Sequence, residues 1–161
     1  MPFPATVMSE LCQHALDTAP EECCGLVTGT AANRFQRTHR ITNVMTRMHL
    51  GDALAFPRDA RHAYYMAEVE YLKAQKEAEA LGETVTAVYH SHVGAGAYLS
   101  EEDLGYAEHP LFPFPGASQI VIAVVSDKGS DRVKEAAIFE IDAATGGFRQ
   151  DGGRLLVVLD T

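Results

Sequence analysis

TVTAVYHSHVGAGAYLSEED, residues 84–103, is the stretch on which the fold and the chemistry of this chain turn. Thr84 to Tyr89 is rich in β-branched residues and reads as a strand that runs directly into His90. In a strand, residues i and i+2 point to the same face. If the strand continues through His92, both imidazoles therefore project to one side and Ser91 to the other. A Gly/Ala loop follows, then a short helix from about 101 to 108. Ser100 suits the N-cap of that helix and Asp103 its third position, the spacing of a capping box. A carboxylate arriving from this helix can complete a set of two histidines and one aspartate. Three protein ligands leave the fourth position of a tetrahedral zinc open, as a catalytic site requires. Imidazole favours zinc over magnesium, with iron as the alternative for the same ligand set. Taken alone, the two histidines read more readily as surface residues at a strand end than as ligands, and Ser100 and Asp103 as nothing more than a helix start.

The rest of the chain supplies the frame. Its 161 residues are ordinary in composition, with 47% apolar and 22% charged, enough for one domain (1–161) with a sizeable core. The net charge of −9 sets the overall field against phosphate contacts, and no basic cluster interrupts it, so nucleic-acid binding is not expected. Cys12, Cys23 and Cys24 are odd in number and contain no CxxC pair. They suit a reducing compartment and a packing role rather than a disulfide framework, a thiolate zinc knuckle or a redox site. The N-terminus lacks the pattern of a signal peptide, and no apolar run has the length of a membrane span. The expectation is a cytoplasmic protein with no membrane partner.

Residues 5–18 repeat apolar groups at helical spacing and stop before Pro20. Cys24 to Gly29 reads as a strand, 34–44 as a second, and 58–81 as a long helix carrying Tyr64, Ala67, Tyr71, Ala74, Ala78 and Leu81 on one face, with Gly82 as a left-handed cap. Residues 119–125 are almost wholly apolar, the mark of a central strand buried on both faces, and 132–141 and 154–159 read as further strands. Together these predict an α/β domain: a single mixed sheet with flanking helices. Tyr64, Tyr65 and Tyr71 are expected as core and flank. His14, His39, His49, His62 and His109 have no partner spacing. Asn43 is a candidate for fixing a turn near the site.

A hydrolytic metal site also needs a base. Pro20-Glu21-Glu22-Cys23-Cys24-Gly25 abuts a strand, so a glutamate there can be held rigidly, although such a pair is more often a solvated loop. Taken together, the two segments resemble the JAMM (MPN+, Mov34/MPN/PAD-1) metalloprotease family. Its pattern is an upstream glutamate in Pro-x-Glu-x-Cys-Gly, then His-x-His-Pro, six residues, Ser, two residues and Asp. His90, His92, Ser100 and Asp103 match at those spacings, and the upstream segment aligns on Glu22, with Glu21 as the exposed runner-up. Proline after the second histidine is replaced by Val93, within Val93-Gly94-Ala95-Gly96.

The resemblance implies an MPN architecture related to the cytidine deaminases. It implies one Zn2+ per chain on His90, His92 and Asp103, with Glu22 as general base and then acid, and Ser100 as donor to the developing oxyanion. The small standalone prokaryotic members it is similar to process ubiquitin-like or sulfur-carrier proteins of the ThiS and MoaD type after a C-terminal Gly-Gly. A zinc peptidase or isopeptidase of that kind is therefore expected, with such a carrier as partner and a homodimer left open. The rival functions are a non-catalytic MPN interaction scaffold and a phage-tail or cell-wall-associated peptidase of the same domain type. A zinc deaminase would need H-x-E with P-C-x-x-C, and the chain has neither.

Overall fold

Ser118–Asp127 forms β4, and its first seven residues are all buried, which explains their nearly unbroken apolar character. The structure, a computed structural model, describes residues 3–156 and Val158. Around β4 stand β1 (Cys24–Gly29), β2 (Arg37–Ile41), β3 (Thr84–Val93), β5 (Ser130–Phe139) and β6 (Arg154–Leu156). They form one six-stranded sheet in the order β2-β1-β3-β4-β5-β6. Only β3 and β4 run parallel; every other pairing is antiparallel. This is the mixed sheet with flanking helices that the sequence predicts.

Helix α1 (Ala5–Thr18) buries Val7, Met8, Leu11 and Ala15 on one face of the sheet, against Tyr89, Ile120, Ile122 and Val124. Each such aliphatic side chain, fully buried, stabilises the fold by about 1.5–3 kcal/mol before entropy is counted. On the opposite face Leu26 and Val88 pack with Ala74 of helix α3 (Glu68–Ala80) and with Tyr64 and Phe112. Helix α4 (Glu101–Ala107) lies at the end of β3 that carries the histidines. Gly25 lies where a Cβ would overlap the Tyr89 ring and the His39 carbonyl, so this crossing of β1 admits no side chain. No described helix is long and apolar enough to cross a membrane.

The structure corrects the expected helix over 58–81. Only Glu68–Ala80 is helical, and the segment before it is held by non-local hydrogen bonds. Tyr65 donates its N–H to Asn43 Oδ1 at 3.1 Å and accepts from Val44 N at 2.9 Å, while Ala67 N donates to Thr42 O at 3.1 Å. These bonds take the backbone groups that a helix would need, and Tyr64 consequently does not share a helical face with Tyr71. Gly82 does adopt the expected left-handed conformation, at φ 74°. The strand expected over 34–44 is shorter, and a helix not foreseen, α2 (Met45–Gly51), begins where it was thought to end. The strand expected over 132–141 starts earlier and stops at Phe139. Of the strand expected over 154–159, Val157 and Leu159 lie outside the described residues.

Candidate metal centre

β3 continues as a regular strand through His92, and the two imidazoles do share a face. His90 Nε2 and His92 Nε2 stand 3.2 Å apart. Asp103 Oδ2 lies 3.1 Å from the first and 3.0 Å from the second. Glu22 completes the group: one ligand atom from each of the four residues lies within 4.8 Å of all the others, and all four residues are buried. Three ligands on a tetrahedral zinc at roughly 2.0–2.1 Å must stand roughly 3.3–3.4 Å apart. The triangle of two nitrogens and one oxygen is thus close to the face of a zinc coordination sphere.

Proton bookkeeping points the same way. His92 Nδ1 lies 2.8 Å from the Gly96 carbonyl, which can only accept, so Nδ1 carries the proton. In the neutral ring Nε2 is then a lone pair, and it faces the Asp103 carboxylate at 3.0 Å. Two acceptors that close require a cation between them, either a proton or a metal. Gly96 belongs to the loop that replaces the family's proline. The loop is anchored by Gly94 N on Val124 O at 2.8 Å, with Gly94 at φ 83°, so a glycine rather than a proline shapes the chain here. The Gly96 carbonyl fixes the tautomer of His92, a support that metal-binding histidines commonly have.

Asp103 is presented by α4 in the capping box that its spacing predicts. Ser100 Oγ accepts from Asp103 N at 3.1 Å, and Asp103 Oδ2 accepts from Ser100 N at 2.9 Å. The capping reading holds, and the metal reading is compatible with it, because the same carboxylate oxygen that caps the helix faces both histidines. Burial pushes the Asp103 carboxyl up, but His90 and His92 outweigh it and hold the group well below the usual carboxylate range. Burial lowers His90, which keeps that imidazole neutral and able to ligate.

Glu22, not Glu21, enters the cluster; Glu21 is exposed. Its backbone is fixed from both sides, with Glu22 N donating to Ala60 O at 2.8 Å and Asn43 Nδ2 donating to Glu22 O at 2.9 Å. The next residue is clamped to the ligand strand, since Cys23 N donates to Ser91 Oγ at 2.7 Å and Ser91 N to Cys23 O at 3.1 Å. Burial raises the Glu22 carboxyl from 4.5 to about 9; the charges of Asp103 and Glu102 add to the rise and Arg58 opposes it. Glu22 Oε1 has no hydrogen-bond partner among the described residues. A buried carboxyl with a free oxygen beside a ligand triangle suits a neighbouring cation, which would restore its charged form.

Cys23 and Cys24 are buried in the sheet, with burial pushing the Cys23 thiol up to about 12, so the packing role holds. Asn43 does organise the site: besides Glu22 it binds Ala63 O, Met45 N and Tyr65 N. The aromatic lining was not foreseen. Tyr64 is buried and stacks on His90, with ring centroids 4.4 Å apart and planes 19° apart. Tyr65 lines a groove of about 460 Å³ that opens beside Asp103, together with Phe56, Arg58, Tyr106 and Phe112. Of the histidines without partner spacing, His14 is packed against Tyr89 OH at 2.7 Å, and His109 lines the groove.

Solved structures share this fold. A solution structure of a protein from Salinibacter ruber matches with a TM-score of 0.60 and 24% identity, over 94% of this chain and 88% of that one. A solution structure of a protein from Desulfitobacterium hafniense matches with a TM-score of 0.59 and 18% identity, over 99% of this chain and 93% of that one. Among curated proteins no sequence matches. The family model for prokaryotic homologs of the JAB domain matches residues 4–138, which include β1, the ligand strand and α4. With that match across most of its length, the chain belongs to the prokaryotic homologs of the JAB domain.

Proposed function

We propose that this protein is a zinc-dependent peptidase that hydrolyses the bond after the C-terminal Gly-Gly of a ubiquitin-like or sulfur-carrier protein. The observation that carries the proposal is the convergence of Glu22, His90, His92 and Asp103, all buried, within 4.8 Å. His90, His92 and Asp103 would hold the metal. When bound, Zn2+ supplies Lewis acidity for the scissile carbonyl and lowers the pKa of water to about 7. Glu22 stands beside the ligands without being needed as one of the three, and its unpartnered Oε1 suits it to take a proton from the attacking water. The same oxygen can deliver that proton to the departing nitrogen. Ser100 Oγ is engaged as an acceptor by Asp103 N, so its own O–H remains to donate to the oxyanion.

The acyl half of the substrate follows from the resemblance to carrier-processing members, and glycine suits it physically because only glycine lets the backbone pass close to a metal. An interaction scaffold accounts for the fold but leaves a buried, unpartnered carboxyl beside three ligand atoms without purpose. The test is to incubate the zinc-loaded protein with ThiS-like carriers bearing C-terminal extensions and to follow their mass. Release of the extension, abolished by chelator and restored by zinc, is the expected result. Absence of zinc-dependent cleavage after any Gly-Gly overturns the substrate assignment.

A further inference from the structure

The groove beside the cluster has a chemistry that hydrolysis alone does not call for. Its walls are aromatic, with Phe56, Tyr65, Tyr106 and Phe112, and Asp103 joins it to the ligand cluster. A volume of about 460 Å³ is in the range of sites that enclose small organic groups. Among these apolar walls stands Arg58, close enough to act electrostatically on Glu22. Its Nε meets Glu102 Oε1 at 2.7 Å, with both side chains partly exposed. Neither terminal nitrogen of its guanidinium makes a hydrogen bond among the described residues. A guanidinium edge of this kind matches a carboxylate with two parallel hydrogen bonds. Arg58 is the one arginine or lysine among the residues that line the groove, with Glu102 and Asp103 beside it.

A Gly-Gly segment has no side chain with which to fill an aromatic groove. We infer that the groove receives the other half of the substrate: a C-terminal residue with a large apolar or aromatic side chain, its free α-carboxylate clasped by Arg58. This rests on the peptidase reading and narrows it. A lysine joined by an isopeptide bond inside a folded protein has main-chain amides where this site expects a free carboxylate, so the assignment selects trimming of a C-terminal residue over deconjugation. The reaction consumes one water: the glycyl carbonyl carbon gains the hydroxyl as its bond to nitrogen breaks, and the nitrogen leaves carrying the added proton. Glu102 is then an internal competitor for the same guanidinium.

The test begins in the metal-free protein, where chelation plays no part. Binding of L-phenylalanine, L-phenylalaninamide and L-alanine is followed by amide chemical shifts in the wild type, Arg58→Gln and Arg58→Lys. Phenylalanine should bind about ten-fold tighter than its amide, and tighter than alanine. The acid-over-amide ratio should fall to about one in Arg58→Gln and persist in part in Arg58→Lys. Equal binding of acid and amide by the wild type, no detectable binding of either, or an unchanged ratio in Arg58→Gln overturns the assignment. The zinc-loaded protein is then given Gly-Gly-Phe peptides ending in a free acid or an amide. Preference for the acid, lost through KM in Arg58→Gln, supports the assignment, and equal cleavage of both overturns it while hydrolysis stands. If neither peptide is cut yet the acid is still bound through Arg58, the peptidase reading falls and the carboxylate site remains.

Discussion

Replacing Glu22 with glutamine should make the metal-free protein more stable, and increasingly so as pH rises. Glu22 is buried, and its carboxyl is raised from 4.5 to about 9 in the folded state. Between those two values the folded chain binds a proton that the unfolded chain has released, so wild-type stability falls as pH rises through that window. At pH 7, about 2.5 units above the unfolded value, the loss at ~1.36 kcal/mol per unit is about 3 kcal/mol. By pH 9 it approaches about 6 kcal/mol, and below pH 4 it is absent. Glutamine has nearly the same shape and no charge to desolvate, so Glu22→Gln should lack this slope. For a chain of this size the gain at pH 7 corresponds to a rise in Tm of about 6–12 °C. The assay is thermal unfolding of wild type and variant from pH 4 to 9 in the presence of chelator. The difference between the two curves isolates Glu22, since every other titrating group is common to both. With zinc bound, the nearby cation favours the charged carboxylate and the gap should narrow, while the variant loses turnover. Curves that stay parallel from pH 4 to 9 would refute the account of Glu22 as a buried carboxyl strained by its surroundings.

Two further changes probe the other parts of the site. Asp103→Asn keeps an oxygen able to accept from Ser100 N but loses the charge that faces His90 and His92, so the metal-free fold should persist with a loss of about 1–3 kcal/mol. Its zinc affinity should fall more than roughly 100-fold, and one zinc per chain retained by this variant in metal analysis would remove Asp103 from the ligand set. Asn43→Ala deletes four hydrogen bonds, two to carbonyls of Glu22 and Ala63 and two from the amides of Met45 and Tyr65. It should cost about 2–4 kcal/mol by denaturant titration and lower kcat with zinc content unchanged; a normal kcat would show that Glu22 does not depend on this anchor.

The parts of the site that the sequence discloses are those governed by short-range rules. His90 and His92 share a face because a strand repeats every two residues, and Asp103 reaches them because a capping box fixes where the third helical side chain lies. Glu22 is different. Nothing local separates it from Glu21, and the resemblance alone selects it. In the structure the choice is made by Ser91, which clamps the neighbouring Cys23 from a strand far along the chain. The stretch 58–67 misled for a related reason. Its alanines and tyrosines suit a helix, but Asn43 and Thr42 take its backbone groups first. Helix α2 escaped notice because it buries no residue and so has no apolar stripe to betray it. The groove is assembled from the segment before α3, from α4 and from the loop after it, a meeting that no periodicity announces.

The separations along the chain divide the site into a local part and a distant one. His92 and Asp103 are 11 residues apart, whereas the clamp beside Glu22 joins residues 68 apart. Closing the first loop costs less chain entropy than closing the second, which needs β1 paired with β3. His90, His92 and Asp103 thus lie on one local unit, to which Glu22 is joined only by the pairing of β1 with β3. If the proposed peptidase reading holds, a fold with His90, His92 and Asp103 gathered but Glu22 undocked would bind metal without hydrolysing.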